Sequence, residues 1–331
     1  MKFQRGSRRS WKRPAAAALL LSGAVVVSGA RADTIVSDLG VAGPNNYAIL
    51  GLNSGVTITL NGPGQTVGNV GGFGDVALNS STPPAITGNL YLGTAGSTAG
   101  SAGNLSAQVS GSIIQTAASN TQLANAASAA TSAANTFKTM AADQTINTSI
   151  TSSTTLTATH SGFYVVNLNG NITLGNTDKL TLSEAAGVNA QFILNVNGNI
   201  TLNGGNNFSG GEIVLGGGLT LNNALINVTS TTNGDNVTSS GGSSPDPAHP
   251  GNTLPNAYIQ AILVDLNGGI HLSPGQVYGE IIDGGSEINL VSGSQVNVQT
   301  AAPLPSTALS GAALLGVVGA GLTLRRRRSM A

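Results

Sequence analysis

Few side chains in this sequence of 331 residues have types and spacing that suit chemistry. The chain has no cysteine, which excludes disulfides, thiol catalysis and cysteine-based metal sites. Its three histidines, His160, His249 and His271, have no serine or acid nearby at triad-like spacing. The sequence also lacks an HExxH motif and a Gly-rich phosphate loop. A catalytic site would therefore have to be built from carboxylates.

Asp265, Asp283 and Glu287 are the carboxylates that lie on neighbouring units of the repeat described below. Converging carboxylates could bind a metal ion or perform hydrolase-like chemistry, so a polysaccharide-acting hydrolase or lyase is the catalytic alternative. The interpretation that we favour is that these residues are solvated strand or turn positions. The sequence thus predicts a protein that is not an enzyme and that uses no cofactor.

The charge distribution excludes nucleic acid as a partner. The body of the chain, from Asp33 to residue 302, contains two basic residues, Lys138 and Lys179, and no arginine. It contains all 13 acidic residues of the sequence, so its net charge is −11. Because nucleic-acid binding depends on Lys and Arg neutralising phosphates, such a surface repels DNA and RNA. It is equally unsuited to acidic polysaccharides, except through bridging Ca²⁺.

A short repeat supplies the elements that must position any functional side chain. Residues 168–176 read Leu-Asn-Gly-Asn-Ile-Thr-Leu-Gly-Asn, and residues 196–204 repeat them almost unchanged. Looser copies occupy residues 56–60, 88–92, 217–221, 268–272 and 286–290. Each copy is a Gly/Asn turn followed by the apolar-x-apolar alternation of a strand with one buried face. Spacings of about 20 to 30 residues favour the stacked coils of a solenoid.

Two segments depart from this repeat. Residues 113–142 are rich in alanine, and a stripe of apolar residues recurs there every three or four positions, which predicts one long amphipathic helix. Because the stripe is made of small residues and the helix lacks a basic face, packing against a β surface is favoured over binding a partner or a membrane. Residues 229–254 are almost without apolar side chains and predict a mobile surface loop inserted into the solenoid.

The order of strands, one Ala-rich helix and further coils resembles the bacterial ice-binding β-solenoid family of the DUF3494 type. The resemblance spans residues 36–298 and is carried by several short stretches. These are Tyr47–Leu50, Thr66–Gly71, the helix, Ser161–Tyr164, Gln191–Leu194 and Tyr278–Leu290. It implies a mainly β fold, a discontinuous three-sided β-solenoid whose N-terminal coils complete the stack, with the helix packed alongside. The family includes ice binders as well as surface proteins and adhesins.

The residue between the two apolar positions of each repeat should point outward. In chain order these residues are Thr59, Tyr91, Thr173, Thr201, Thr220, His271 and Asn289. The three consecutive threonines, Thr173, Thr201 and Thr220, are a candidate face for ice or another ligand, because stacked strands would repeat their hydroxyl and methyl groups about every 4.8 Å. Tyrosine, histidine and asparagine interrupt the ladder at the other coils.

The beginning of the chain predicts export. Residues 1–32 contain a basic start, an apolar run and Ala30-Arg31-Ala32, which is the pattern of a secretory signal peptide cleaved before Asp33. A membrane anchor is the alternative, but the apolar run is short for one that spans a bilayer.

The end of the chain predicts sorting. After a linker at 299–305 that contains Pro303, Leu304 and Pro305, residues 306–331 form an apolar span followed by four arginines, Arg325, Arg326, Arg327 and Arg328. This order resembles the PEP-CTERM sorting signal in a Pro-Leu-Pro variant. The resemblance implies transient anchoring in the inner membrane, recognition by an exosortase-like protease, and release to the cell surface or matrix. A permanent anchor is the alternative.

The sequence as a whole therefore predicts an exported, non-enzymatic surface or matrix protein. Adhesion or association with an extracellular polysaccharide is the leading functional hypothesis, and ice binding is its alternative.

Overall fold

A computed structural model describes residues 34–298 except 63–64, 81–83, 95, 97, 101–104, 176, 206–209, 232–233 and 246–252. The predicted signal peptide, linker and sorting tail, with all their named residues, lie outside this part of the chain. Within it, no helix is both long and apolar enough to cross a membrane.

The described residues form three α-helices, a single 3₁₀ turn at Gly40–Ala42 and 27 strands. The helices are α1 Ile35–Leu39, α2 Leu105–Gln108 and α3 Ala117–Thr139. The strands are β1 Ile49–Gly51, β2 Thr57–Gly62, β3 Gln65–Val67, β4 Val70–Gly72, β5 Val76–Ser80, β6 Leu90–Leu92, β7 Thr98–Gly100, β8 Ile113–Ile114, β9 Gln144–Ile146, β10 Thr154–Ala158, β11 Gly162–Leu168, β12 Ile172–Gly175, β13 Lys179–Glu184, β14 Ala190–Val196, β15 Ile200–Asn203, β16 Glu212–Leu215, β17 Ala224–Val228, β18 Asp235–Ser240, β19 Ser243–Pro245, β20 Thr253–Pro255, β21 Tyr258–Gln260, β22 Ile262–Asp265, β23 Gly269–Ser273, β24 Gln276–Tyr278, β25 Ile281–Asp283, β26 Glu287–Leu290 and β27 Gln295–Asn297.

Three parallel sheets build the sides of a solenoid. The helix-covered sheet has the order β8-β6-β4-β1-β25-β22-β17-β14-β11-β9. The threonine sheet has the order β12-β15-β18-β23-β26-β2-β5-β7, and the tyrosine sheet has the order β10-β13-β16-β21-β24-β27-β3. Strand β2 lies between β26 and β5, so the N-terminal coils continue the stack from the C-terminal coils. The prediction of a discontinuous three-sided β-solenoid is confirmed.

The core is made of files of aliphatic side chains that repeat from coil to coil. On the threonine sheet one such file consists of Ile172, Ile200, Val237, Ile270, Ile288, Ile58 and Val76. All seven residues are fully buried. Burying an aliphatic side chain of this size stabilises a protein by about 1.5 to 3 kcal/mol, so the files dominate the stability of the stack.

The Gly-Asn step of the repeat is a stacking device at a corner of the coil. The backbone N–H of Asn199 donates to Asn171 Oδ1 on the preceding coil at 2.9 Å. A Cβ at Gly198 would overlap the carbonyl oxygen of Gly170. In the N-terminal coils the same arrangement joins Asn89 N–H to Asn69 Oδ1 at 2.9 Å. Glycine lets neighbouring corners approach, and asparagine bonds them together.

Helix α3 covers one sheet, as predicted, but it is shorter than the predicted 113–142. It begins after Thr116, whose side chain forms a capping box with Ser119. Ile113 and Ile114 instead extend the helix-covered sheet as β8. The buried side of the helix, which includes Leu123 and Phe137, packs on the outward side chains of that sheet. The prediction of intramolecular packing is therefore confirmed.

A file of asparagines anchors the C-terminal half of α3 to the sheet. Asn195 Nδ2 donates to the carbonyl oxygen of Phe137 at 2.9 Å and to Asn167 Oδ1 at 2.9 Å. Asn227 Nδ2 donates in the same way to the carbonyl oxygen of Ala134 at 3.0 Å and to Asn195 Oδ1 at 2.9 Å. Both side chains are buried, so these bonds satisfy amides that would otherwise be costly to desolvate.

Two predicted segments are corrected by the sheet registers. The copy of the repeat at residues 217–221 is not a strand, because it lies in the turn between β16 and β17. The predicted loop 229–254 is not wholly a loop either. It contains β18, which pairs with both β15 and β23 and so forms a full rung of the threonine sheet.

The sequence pattern missed β18 because Ser239 occupies its second inward position. The buried Ser239 Oγ donates to the carbonyl oxygen of Pro274 at 3.0 Å and accepts from the N–H of Ser273 at 3.2 Å. A serine with both bonds made can replace the expected aliphatic residue without an unsatisfied polar group.

Candidate binding faces

The outer face of the threonine sheet carries one regular column of side chains along the stack. In register order it consists of Thr173, Thr201, Thr238, His271, Asn289, Thr59 and Ala77. Each of these side chains is exposed or partly exposed, while its chain neighbours in the strand point into the core. The alternation of the strand thus fixes the column in place.

The first three rungs form an uninterrupted threonine file. Thr173 pairs with Thr201, and Thr201 pairs with Thr238. Thr238 Oγ1 donates to Thr201 Oγ1 at 3.3 Å, which holds both hydroxyl groups in one orientation. Because parallel strands repeat at about 4.8 Å, the file presents hydroxyl and methyl groups at that spacing.

A second column beside the first carries small polar side chains. It includes Asn203, Ser240 and Ser273 on three successive rungs. Ser240 Oγ donates to Asn203 Oδ1 at 3.2 Å. Further along the stack Asn61 pairs with Asn79. The two columns together form a strip without an ionised carboxylate or ammonium group.

The structure brings together two of the three predicted threonines. Thr173 and Thr201 are adjacent, but Thr220 lies in the turn after β16, where its N–H and Oγ1 bond to Asn223 Oδ1. Thr238 takes the position that was predicted for Thr220. Sequence reasoning missed Thr238 because it lies in the segment predicted as a loop. The signal in the sequence that could have indicated this strand is the triplet Val237-Thr238-Ser239.

The tyrosine sheet presents a different surface. The rings of Tyr258 and Tyr278, on adjacent strands, meet edge to face with centroids 6.0 Å apart. Tyr258 Oη donates to Glu212 Oε2 at 3.0 Å, and Lys179 Nζ lies 2.7 Å from the same oxygen. Burial, followed by the charge of Glu212, raises the pKa of Tyr258 to about 12, so its hydroxyl stays protonated. This face is aromatic and charged, unlike the three threonine rungs and the small polar column beside them.

A surface cavity of about 540 Å³ opens beside Tyr278. Its lining consists of Leu215, Leu219, Thr220, Leu221, Gln260 and Tyr278. Gln260 Oε1 accepts from the N–H of Leu215 at 3.0 Å, which fixes the side-chain amide at the cavity. Thr220 therefore contributes to the tyrosine face and not to the threonine column.

The three predicted carboxylates do not share one exposed site, and two of them are not solvated. Asp265 and Asp283 are paired on adjacent strands and point into the core with 0% exposure, whereas Glu287 lies on the outer side of the threonine sheet. Burial, and then the charge of Asp265, raises the pKa of Asp283 to about 9. The geometry gives these acids a place in the core and no shared catalytic cleft.

A third acid, Glu280, is also fully buried, and neither of its carboxylate oxygens has a hydrogen-bond partner. Burial raises its pKa well above the usual range. Asp265 differs because its Oδ1 accepts from the N–H groups of Asn267 and Gly268, each at 3.0 Å. Burial still outweighs these bonds and leaves the pKa of Asp265 raised.

The histidines are scattered. His160 Nε2 lies 2.9 Å from Asp143 Oδ1, and this hydrogen bond raises the pKa of His160. His271 lies in the column of the threonine sheet, with its Nδ1 3.9 Å from Asp235 Oδ2. His249 lies outside the described residues. The two described histidines are thus each beside an acid, a proximity that comes from the coil stacking and not from sequence spacing.

The fold and its faces define a three-sided parallel β-solenoid with one sheet under a helix and two sheets whose outer side chains reach solvent. No protein-family model matches the chain, and no curated protein matches it.

Several solved structures are similar to it. One is an ice-binding protein from an Antarctic Flavobacteriaceae bacterium, with 17% identity and a TM-score of 0.48, covering 86% of this chain and 52% of that one. This chain thus spans about half the length of that protein. Another is the ice-binding protein LeIBP from an Arctic yeast, with 17% identity and a TM-score of 0.46. That match covers 80% of this chain and 96% of LeIBP. A third is the DUF3494 domain of a Shewanella frigidimarina ice-binding protein, with 18% identity and a TM-score of 0.43. That match covers 78% of this chain and 95% of the domain.

Proposed function

We propose that this chain is an exported, non-enzymatic β-solenoid protein that binds ice through the outer face of its threonine sheet. The observation that carries the proposal is the file Thr173–Thr201–Thr238 on three successive rungs, in which the hydroxyl groups of Thr201 and Thr238 are hydrogen-bonded at 3.3 Å. The small polar column beside it widens the file into a strip.

The chemistry of the strip suits an ordered water surface. Methyl groups exclude liquid water, and hydroxyl groups at fixed spacing can take places in a hydrogen-bonded lattice. Because each threonine is held between two buried chain neighbours, the face is organised before binding and loses little conformational entropy on contact. Ionised groups hold their own hydration shells strongly, so the uncharged side chains of the threonine file and of Asn203 and Ser240 beside it favour adsorption to ice.

Export of the protein and its sorting to the cell surface are part of the same proposal, and they rest on the sequence alone. Cleavage before Asp33 would release the protein from its signal peptide. The tail at 306–331 would anchor it in the inner membrane until an exosortase-like protease acts near Pro303–Pro305. The ice-binding face would then be presented at the cell surface or in the extracellular matrix.

Ice activity can be measured directly on the purified protein. We expect inhibition of ice recrystallisation at micromolar concentration together with measurable thermal hysteresis. Absence of both effects at high micromolar concentration, with the protein shown to be folded by circular dichroism, would remove the ice-binding proposal.

A second candidate, adhesion to a neutral polysaccharide, is favoured by the tyrosine sheet. The cavity beside Tyr278 combines an aromatic ring, leucine side chains and the fixed amide of Gln260. A sugar ring offers an apolar face for the tyrosine and hydroxyl groups for the amide. The net charge of −11 on the body between Asp33 and residue 302 directs this proposal to neutral and not acidic polymers.

Substitution of Tyr278 tests this adhesion. Tyr278→Ala should weaken binding to an insoluble neutral polysaccharide by about tenfold, which corresponds to about 1.4 kcal/mol, because it removes the stacking ring. Tyr278→Phe, which keeps the ring, is the matched control and should bind nearly as the parent does. Equal retention of the parent protein and of Tyr278→Ala in a pull-down assay would show that the cavity is not a sugar site.

A further inference from the structure

Two carboxylates meet above a glycine on the threonine sheet. Asp235 of β18 pairs with Gly269 of β23, and the register of the next strand, in which Ile270 pairs with Ile288, places Glu287 on the other side of Gly269. The middle position of this rung has no side chain. A Cβ there would lie 2.9 Å from Asp235 Oδ1 and 3.3 Å from Glu287 Cγ, so the glycine opens a niche between the two acids.

An imidazole completes the niche. His271 lies two residues after Gly269 on the same strand and on the same outer face. One ligand atom from each of Asp235, His271 and Glu287 lies within 4.8 Å of the other two. All three side chains reach solvent, so small rotations can bring these atoms to the shorter separations that a shared metal ion requires.

A β-bulge aims Asp235 at this niche. The pairing of β18 with β23 shifts by one residue between Asp235 and Val237. As a result Asn236 points inward, with 1% exposure, and its Nδ2 donates to Asp265 Oδ1 at 3.3 Å. Asp235 is turned to the outer face. Bulges commonly redirect a side chain in this way next to binding sites.

An unsatisfied acceptor lies on the neighbouring strand. Asn289 pairs with His271 and points to the same face. Its Oδ1 is buried and has no hydrogen-bond partner. A buried acceptor without a donor is costly unless a water molecule or a cation satisfies it. This observation is independent of the acidic pair and points to a positively charged or water-bearing ligand.

We propose that Asp235, His271 and Glu287 bind a divalent transition-metal ion of the Zn²⁺ class. Two carboxylates and one imidazole are ligands that Zn²⁺ accepts, whereas Ca²⁺ and Mg²⁺ prefer oxygen atoms alone. The ion compensates two negative charges that face each other across Gly269. Its remaining coordination positions open to solvent on the outer face, where water or an external ligand can occupy them.

Isothermal titration of the purified, metal-free protein with ZnCl₂ tests this site. We expect one saturable site, with the affinity reduced by about tenfold or more in His271→Gln and in Glu287→Gln. His160→Gln is the matched control, because His160 is paired with Asp143 and takes no part in the niche. Unchanged thermal unfolding of the variants without Zn²⁺ would show that they are folded.

The outcomes separate metal binding from an ordinary group of surface charges. No saturable heat, or equal affinity in His271→Gln and the parent protein, would overturn the proposal. Binding of Ca²⁺ as tight as that of Zn²⁺ would also overturn it, because the imidazole would then contribute nothing. The readout does not depend on ice activity, so the metal site and the proposed function can fail separately.

Discussion

Replacing Asp283 by asparagine should stabilise the protein at neutral pH and remove about one proton's share of the stability that the parent loses as pH rises. The raised pKa values of the buried Asp265 and Glu280 leave the variant with the rest of that loss. Asp283 has 0% exposure. It belongs to a file of inward-pointing side chains on the helix-covered sheet, where it follows Val196, Val228 and Asp265. Burial and the neighbouring Asp265 raise its pKa to about 9. The unfolded chain, by contrast, ionises this group near its ordinary pKa of about 4.

The sign of the effect follows from proton linkage. Below about pH 4 both states bind the proton, and the contribution of Asp283 to stability is fully present. Between about pH 4 and pH 9 only the folded state keeps this proton on Asp283. Each pH unit in that range therefore lowers the free energy of unfolding by about 1.4 kcal/mol. At pH 7 the accumulated cost is about 4 kcal/mol, which is a large share of the stability of a typical domain.

Urea denaturation at pH 5 and pH 8 measures this slope. The parent protein should be less stable at pH 8, and both Asp283→Asn and Asp283→Val should show a clearly smaller difference between the two pH values. The valine variant reproduces the side chain that the file carries at Val228. Equal slopes in the parent and both variants would show that Asp283 is ionised in the folded state, contrary to its buried position.

Replacing Gly198 by alanine should destabilise the protein by about 3 kcal/mol, the upper range for inserting a methyl group into a packed site. The added Cβ would overlap the carbonyl oxygen of Gly170 and would lie 2.6 Å from Asn171 Oδ1. The corner hydrogen bond from Asn199 N–H to Asn171 Oδ1 would have to lengthen as the coils move apart.

Gly175→Ala is the matched control. Gly175 ends β12 on a neighbouring coil, and a Cβ there would meet nothing within 4 Å. We expect a change of about 0.5 kcal/mol or less in its unfolding free energy. Similar midpoints of thermal unfolding for Gly198→Ala and Gly175→Ala would contradict the stacking role of the Gly-Asn corner.

The sequence allowed most rungs of the fold to be predicted because the corner and the strand share one local pattern. A polar turn followed by two inward aliphatic residues identified the rungs at Ile172, Ile200, Ile270 and Ile288, which lie on one sheet. Gly-Asn forms the turn at the first two of these rungs, and looser versions form it at the other two. The same pattern failed at Leu219, a buried residue of a turn. Local alternation cannot distinguish a strand from a turn that also buries a leucine.

The missing rung and the metal niche could not be predicted for a related reason. Both depend on the register of β18, which joins residues that are more than 30 positions apart in sequence. Thr238 faces Thr201 and Asp235 faces Gly269 only because β18 is inserted between β15 and β23. Asp265 and Asp283 were predicted to be solvated because acidic residues usually are. The alternation of side chains along the paired strands shows instead that both point inward.

Ice-affinity partitioning of two variants tests the central claim most directly. Thr201→Tyr places a bulky ring in the middle of the threonine file, whereas Thr181→Tyr makes the same change at an equivalent strand position on the tyrosine sheet. We predict that the parent protein and Thr181→Tyr are incorporated into slowly growing ice and that Thr201→Tyr is excluded, with an affinity loss of about tenfold or more. Incorporation of Thr201→Tyr equal to that of the parent, or exclusion of the parent itself, would contradict ice binding through the threonine sheet.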